Sequence, residues 1–229
     1  MCYPNKLNKE KQIKEFKMKK IAAGLLAVAL SSSLYASENY SEGRTFVGAE
    51  VGFVKLDASA NLHNTATGAN SPTYESRSDS NTAYGFHIGA QDADWRTTLL
   101  YSYYDNEEGK NSETIHKGGL YLDYFILQSE AGSVTFMPYI GGHVGYMSYE
   151  WTEDVGNGVS QVNADDANFY YGGQIGVAVM IEESFQLDLS YRYSLTNLKD
   201  LSTDIGHGLV VESDLDSMGE IVIGFNYFF

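Results

Sequence analysis

Eight segments of this chain alternate between apolar residues and polar or small residues, which is the pattern of a β-strand with two different faces. Each segment is close to the ~9–11 residues that a tilted transmembrane strand needs, and the fifth and sixth are longer. No long helical period and no run of 18 apolar residues accompanies them. The predicted strands are 45–54, 82–91, 95–104, 114–125, 135–147, 168–181, 185–195 and 218–229.

The links between these segments alternate in length. Asp92–Asp94 and Glu182–Ser184 are short, and the link 126–134, which contains Gly132, is moderate. Short turns at one end and long loops at the other are typical of a transmembrane β-barrel whose long loops face the cell exterior. A soluble β-sandwich is not expected to separate its links in this way. The four links that are longer or more polar span 55–81, 105–113, 148–167 and 196–217.

The two faces of the segments differ in charge. When the more apolar face of each segment is taken as the exterior, none of the apolar positions that define it is charged. A charge on a lipid-facing position costs up to ~2–4 kcal/mol at the middle of the membrane. A polar interior inside an apolar exterior is the reverse of a soluble carrier barrel, so the pattern favours a membrane barrel. The charges within the segments all fall on the inward face: Glu50, Arg96, Lys117, Asp123, Asp188, Arg192 and Glu220.

The inward charges predict a network of buried ion pairs. Arg96 and Asp123 lie almost symmetrically about the turn between them, so they should face each other across neighbouring strands. Asp188 and Arg192 share one face of a strand, with Glu220 on the next strand. Buried charges are tolerated only when paired, and eight strands enclose a space just wide enough for side chains to fill. We therefore expect a structural network, with a narrow, gated conduit for small solutes as the open alternative.

Glycines also recur on the inward face. A glycine in mid-strand normally weakens the strand, so its repeated use needs a reason. We expect these glycines to make room for Tyr121, Tyr139 and Tyr170 in a narrow barrel, while Trp95 and other aromatic residues near the strand ends form interfacial girdles. The inward glycines are Gly48, Gly52, Gly85, Gly89, Gly119, Gly141, Gly145, Gly172, Gly176 and Gly224.

The amino terminus has the pattern of a secretory signal peptide. A basic start at Met18 precedes the apolar run Ile21–Leu30, and small residues lead to an expected cleavage after Ala36. Ten apolar residues are too few for a membrane-spanning helix, which needs roughly 20. The predicted division is an upstream extension at 1–17, a signal peptide at 18–36, a short periplasmic lead-in at 37–44 and a barrel at 45–229.

The chain after residue 36 is strongly acidic, with 28 acidic and 8 basic residues. Nucleic acid needs basic surfaces, so it is excluded as a partner. Cys2 is the sole cysteine, so the barrel region offers no disulfide and no thiolate metal site; we predict no metal and no cofactor. Acidic residues of the third and fourth long loops indicate a solubilising rim, and bridging by divalent cations to lipopolysaccharide phosphates stays open. They are Glu150, Glu153, Asp154, Asp165, Asp166, Asp200, Asp204, Glu212, Asp214 and Asp216.

The last segment closes the pattern with an aromatic residue. Ile221, Ile223, Phe225, Tyr227 and Phe229 share one face. With the inward glycines and charges, this resembles the OmpA-like and OmpX-like outer-membrane barrels over about residues 45–229. The resemblance implies an all-β fold, an eight-stranded antiparallel up-and-down transmembrane β-barrel, in the outer membrane of a Gram-negative bacterium. It also implies an assembly signal, read by the barrel-assembly machinery during insertion, that includes Gly224, Tyr227 and Phe229; Val222 departs from it, because a polar residue is usual there.

We therefore predict a monomeric barrel with a structural or surface-interaction role, such as envelope integrity, adhesion or recognition through its acidic extracellular loops. The alternative is a narrow porin-like channel, and a barrel enzyme that acts on lipid A or peptides has less support. No histidine has a serine two residues away, as lipid A deacylases have, and an omptin-like protease would need ten strands. We thus predict no catalytic residues. The expected partners are outer-membrane lipid, lipopolysaccharide, the barrel-assembly machinery and an extracellular ligand at the loops.

Overall fold

The computed structural model describes the backbone of residues 43–64, 69–77, 80–108, 111–153, 162–206 and 209–229. Side chains are described for residues 43–56, 81–106, 112–150, 166–196 and 215–229. The predicted extension and signal peptide, and most of the lead-in, lie outside these ranges. In the described part of the chain, no helix is long and apolar enough to cross a membrane. The strands are β1 (Arg44–Asn64), β2 (Ala69–Arg77), β3 (Ser80–Gln91), β4 (Trp95–Glu108), β5 (Asn111–Phe125), β6 (Ser129–Ala131), β7 (Val134–Glu153), β8 (Val162–Ile181), β9 (Phe185–Gly206) and β10 (Leu209–Phe228).

Eight of these strands close into an antiparallel up-and-down barrel, which confirms the predicted fold class. They follow the order β1-β3-β4-β5-β7-β8-β9-β10, and β10 pairs with β1. At this seam, Val47 lies opposite Tyr227 and Phe53 lies opposite Ile221, which confirms the predicted meeting of the last strand with the first. The other two strands are additions: β2 pairs with the distal part of β1, and the three-residue β6 pairs with β7.

Tight turns connect the strands at one end of the barrel, which we call the turn end. Between β3 and β4, the Asp92 carboxylate accepts hydrogen bonds from the backbone N–H groups of the two residues that lead into β4, at 2.9 and 2.7 Å. Between β8 and β9, Glu182 and Glu183 adopt positive φ angles of 50° and 59°. Gly132, with φ of 67°, turns the chain from β6 into β7, where glycine meets no steric penalty.

At the opposite end, the loop end, the strands extend further than predicted. The links predicted at 55–81, 105–113, 148–167 and 196–217 are largely strand, so their predicted extent as loops was wrong. The prediction used apolar alternation, which is required only where strands face lipid. Beyond that band, the ladders of backbone hydrogen bonds continue without it. The outermost paired residues are Asn64 with Leu209, Glu108 with Asn111, Glu153 with Val162, and Gly206 with Leu209.

The exterior of the barrel is apolar and the interior is closely packed. In β10, the outward residues Ile221 and Ile223 are 52% and 53% exposed, whereas the inward residues Val222 and Asn226 are each 2% exposed. The outward residues of the other barrel strands are likewise exposed or half-buried and mostly apolar. An apolar surface that surrounds the molecule would not be tolerated in water, so it is the lipid-facing surface of a transmembrane barrel.

Two buried apolar clusters bound the polar interior along the barrel. The loop-end cluster consists of Val54, Leu56, Ala83, Tyr104, Ile115, Met147, Tyr170, Leu215 and Met218. The turn-end cluster consists of Phe125, Met137, Tyr139 and Ala178. Polar and charged side chains occupy the space between them, and they form the candidate site.

Candidate functional site

The structure brings the seven predicted interior charges into three groups of ion pairs. Strand alternation points each side chain inward, and six of the seven residues are less than 9% exposed while Asp188 is half-buried. Each charge has an oppositely charged partner within 2.9 Å. The three groups are Arg96 with Asp123 and Asp188, Arg192 with Glu50, and Lys117 with Glu220.

Arg96 binds two carboxylates on opposite walls of the barrel. Its Nε donates to Oδ2 of Asp123 at 2.9 Å, and its Nη1 donates to both oxygens of Asp188 at 2.9 Å. Asp123 lies directly across the β4–β5 ladder, as the symmetry of that hairpin predicts, whereas Asp188 comes from β9. The guanidinium also lies 4.5 Å from the centre of the Tyr139 ring. Arg96 therefore ties the two sides of the barrel together.

Arg192 and Glu50 form a bidentate pair. Nη1 and Nη2 of Arg192 donate to the two Glu50 oxygens at 2.5 and 2.8 Å, the geometry in which guanidinium and carboxylate bind most strongly. The remaining Nε of Arg192 donates to Oε1 of Gln174 at 2.8 Å, and Gln174 in turn donates to Asp123. Gln174 thus joins the Arg192 and Arg96 groups. The charge pattern did not identify Gln174 because it is uncharged, although the alternation of β8 places it on the inward face.

Lys117 and Glu220 form the third pair. Nζ of Lys117 donates to Oε2 of Glu220 at 2.5 Å, and both side chains are 3% exposed. Glu220 lies opposite Arg192 in the β9–β10 register but bonds to Lys117 instead. The sequence places three charges, Asp188, Arg192 and Glu220, on inward positions of two neighbouring strands. In the structure each of them pairs with a different residue: Arg96, Glu50 and Lys117, respectively.

Uncharged side chains complete the network near the turn end. Asn226 donates to Gln186 at 2.9 Å and to Asp188 at 2.8 Å, and its carbonyl oxygen lies 2.5 Å from Nε2 of His87. Gln186 donates to Gln91 at 3.1 Å. Asn226 thus adds a hydrogen bond to the Asp188 carboxylate that Arg96 already binds, and the amide groups bond to one another, as buried polar groups require. The charge pattern alone did not identify them.

The interior glycines make room for large side chains, as predicted for two of the three tyrosines. A Cβ atom on Gly145 would lie 2.5 Å from Cε1 of Tyr170, and one on Gly176 would lie 2.6 Å from the hydroxyl of Tyr139. A Cβ atom on Gly119 would also collide with Tyr170. These distances are too short for carbon atoms, so the buried tyrosines require glycine on the neighbouring strands.

A serine–histidine pair lies inside the barrel, away from the lipid-facing surface. Nε2 of His143 is 2.9 Å from Oγ of Ser194, and the imidazole stacks on Tyr121 with ring centres 4.8 Å apart. Among the described side chains, Nδ1 of His143 has no hydrogen-bond partner, so none of them orients the ring as the third group of a hydrolytic triad does. Among the described residues, no group of three or more His, Cys, Asp or Glu is placed to hold a metal ion.

Little space remains between the ion pairs. A cavity of about 20 Å³, which is room for about one water molecule, lies among the charged groups and is lined in part by Glu50, Arg96, Tyr121, Asp188 and Arg192. The described interior is thus filled by paired charges between the two apolar clusters.

The residues of the predicted assembly signal lie on both faces of β10. Gly224 points inward, whereas Tyr227 and Phe229 are 45% and 67% exposed on the outward face. The Phe229 N–H donates to the Thr45 carbonyl at 3.1 Å, so the last residue still pairs with the first strand. The role of these three residues in assembly stays a prediction.

The predicted acidic rim is largely outside the structural description, because most of its residues lie outside the described side chains.

No protein-family model and no curated protein matches the sequence. Among solved structures, Neisserial surface protein A (NspA) is 20% identical, with a TM-score of 0.52 over 82% of this chain and 100% of that chain. The outer membrane protein OprG from Pseudomonas aeruginosa is 19% identical, with a TM-score of 0.59 over 83% of this chain and 98% of that chain. At these identities the likeness concerns the fold. This chain has the fold of the small eight-stranded outer-membrane β-barrels.

Proposed function

We propose that the protein is an integral barrel of the Gram-negative outer membrane whose role is structural or surface-interactive. The apolar exterior anchors it in lipid, and the long hairpins at the loop end extend beyond the lipid-facing band. Envelope integrity, adhesion or recognition would then depend on what these hairpins contact. We expect a monomer that meets outer-membrane lipid and lipopolysaccharide around its surface, an extracellular ligand at the loops, and the barrel-assembly machinery during insertion.

The packing of the interior is the observation that supports a closed barrel. Conduction requires a continuous path along which the solute is bound weakly enough to leave each site. Here each interior charge is held by an opposite charge within 2.9 Å, and the cavity among them has a volume of about 20 Å³. The loop-end and turn-end clusters lie along the same path. Movement of a solute would have to break several buried pairs at once, each of which is expensive to separate.

Planar-bilayer recording on the refolded protein tests the closed barrel. We expect no steady conductance above that of the lipid, both for the natural chain and for Arg192→Gln. Heat-dependent mobility on a detergent gel would establish that each preparation is folded, since folded barrels resist cold detergent. A steady conductance of the natural chain that is abolished in Arg96→Gln or Arg192→Gln would overturn the closed barrel.

A narrow conduit for small solutes is the second candidate, and the charged lumen favours it. The seven charges line the interior from the turn end at Arg96 to Lys117 below the loop-end cluster. Swelling of liposomes that carry the protein, in small neutral and charged solutes, separates the two candidates. Swelling that depends on solute charge and size would support the conduit, and swelling no faster than that of empty liposomes would support the closed barrel.

An enzyme that acts on lipid A or peptides is not part of this proposal. The His143–Ser194 pair faces the interior, where neither substrate could reach it, and eight strands rather than ten close the barrel. Incubation of the folded protein with lipid A or with a mixture of peptides, followed by mass spectrometry, would reveal any product.

A further inference from the structure

The strands separate into two lobes beyond the lipid-facing band. The β8–β9 ladder ends at the pair Tyr170–Thr196, although eight residues of β8 and ten residues of β9 lie beyond that pair. The β3–β4 ladder likewise ends at the pair Ala83–Tyr104, while β4 continues to Glu108. The distal parts of β4, β5, β7 and β8 therefore form one sheet, the β4–β8 lobe, and those of β9, β10, β1 and β2 form another, the β9–β2 lobe. The β4–β8 lobe comprises residues 105–108, 111–114, 148–153 and 162–169, and the β9–β2 lobe comprises residues 57–64, 69–77, 197–206 and 209–217.

An extra residue in β9 accounts for the separation of the lobes. Between Leu195 and Leu198, β9 holds one residue more than the part of β10 with which it pairs. The β1–β10 register also shifts at this height, between Asp57 and Ala58. A bulge bends its strand and increases the local twist. We infer that β9 turns away from β8 after Thr196, where the β8–β9 ladder ends.

The side of β8 that faces away from β7 at residues 162–169 is here called the β8 edge. No described strand pairs with the β8 edge, whereas the opposite side of β8 pairs with β7 from Val162 to Ile181 without a register shift. The backbone N–H and C=O groups of alternate residues therefore point outward from the lobe in a regular row.

The β8 edge lacks most of the features by which natural proteins block an exposed strand. Such edges are usually interrupted by bulges, proline or lysine. The edge strand of the β9–β2 lobe follows this rule, because β2 contains Pro72 and its register against β1 shifts twice. Residues 162–169 contain no proline, glycine or lysine. The β8 edge is thus the more suitable of the two for pairing with a further strand.

The charge of the β4–β8 lobe indicates the chemistry of a partner. The four segments of this lobe carry eight acidic residues and no lysine or arginine. Like charge disfavours a second copy of this lobe, whereas complementary charge favours a partner with basic side chains. The acidic residues are Asp105, Glu107, Glu108, Glu113, Glu150, Glu153, Asp165 and Asp166.

We propose that the β8 edge binds an extended, basic polypeptide segment, which adds to the β4–β8 lobe as a further strand. Backbone hydrogen bonds along residues 162–169 supply the affinity, and attraction between the basic segment and the acidic lobe supplies the selectivity. This inference rests on the proposed role of the loop end in surface recognition and names the class of its partner.

Hydrogen exchange, followed by NMR on the isotope-labelled and refolded full-length barrel in detergent, tests the proposal. The probe is an octapeptide of alternating lysine and threonine. We expect it to slow exchange at every second residue of 162–169, because only alternate amides point away from β7. An octapeptide of alternating glutamate and threonine should not bind.

Two matched controls separate strand addition from adsorption by charge alone. The lysine–threonine peptide with every amide nitrogen methylated keeps its charge but has no backbone donor, so it should bind at least tenfold more weakly. Asp165→Asn/Asp166→Asn should weaken binding of the unmethylated peptide about fivefold, as expected from two exposed ion pairs. Asp200→Asn/Asp204→Asn makes the same change of charge on β9 and should weaken it less than twofold.

Three results would overturn the proposal: no binding of the lysine–threonine peptide, equal binding of its methylated form, or slowed exchange on β2 or β9 in place of β8. Heat-dependent gel mobility checks that each variant is folded. A barrel that conducts would overturn the closed-barrel function without altering the peptide measurements, and absence of peptide binding would leave the bilayer recordings unchanged. The two proposals therefore fail separately.

Discussion

Separating Lys117 from Glu220 should destabilise the barrel much more than a change at a water-exposed position. The two side chains are 3% exposed, 2.5 Å apart and 103 residues apart in sequence. Removing one partner of such a pair leaves a buried charge uncompensated, which costs about 3–5 kcal/mol. We expect the cost of Glu220→Leu to lie near the lower figure, because the Lys117 ammonium still has the Tyr170 ring, with Nζ 5.7 Å from the ring centre, as a cation–π partner. Lys117→Met should lie near the upper figure, because no other described cation bonds to Glu220.

The double variant Lys117→Met/Glu220→Leu should recover most of this loss, because an apolar pair of similar volume avoids the desolvation of two ions. Urea unfolding in lipid vesicles, followed by the tryptophan fluorescence and by gel mobility, gives the four free energies of the cycle. Glu130→Leu, at an exposed position of β6, is the surface control and should stay within about 0.5 kcal/mol of the natural chain. A double variant as unstable as the sum of the single ones would refute the reasoning, and so would a single variant as stable as the natural chain.

Three further perturbations test the packing, the lipid face and the last strand. Gly145→Ala should cost about 1–3 kcal/mol by overpacking, whereas Gly118→Ala should change stability little; equal urea midpoints would contradict the packing argument. Val144→Arg, on the outward face in mid-strand, should cost ~2–4 kcal/mol in vesicles, and Ile126→Arg, beside the turn end, ~0–1 kcal/mol; the reverse order would contradict the placement of the membrane. Removal of Phe229 should slow insertion in cells while the purified chain still refolds in detergent, as measured by heat-dependent mobility; normal insertion would exclude an assembly signal there.

Much of the barrel was predictable because lipid imposes one rule on every strand. Ile221, Ile223 and Phe225 must be apolar since they face hydrocarbon, and the alternate positions are free of that rule. The sequence therefore shows strand number, the outward face and the meeting of the last strand with the first. The rule stops at the edge of the membrane, which is why the continuation of β1 to Asn64 and of β9 to Gly206 was not predicted.

The sequence by itself determined which charges lie inside the barrel, because a period of two residues assigns every side chain to one face. The tertiary structure decided which charges pair. Glu50 and Arg192 are 142 residues apart and meet only because barrel closure brings β1 and β9 within reach across the lumen. Gln174, which joins two groups of ion pairs, carries no charge that could mark it.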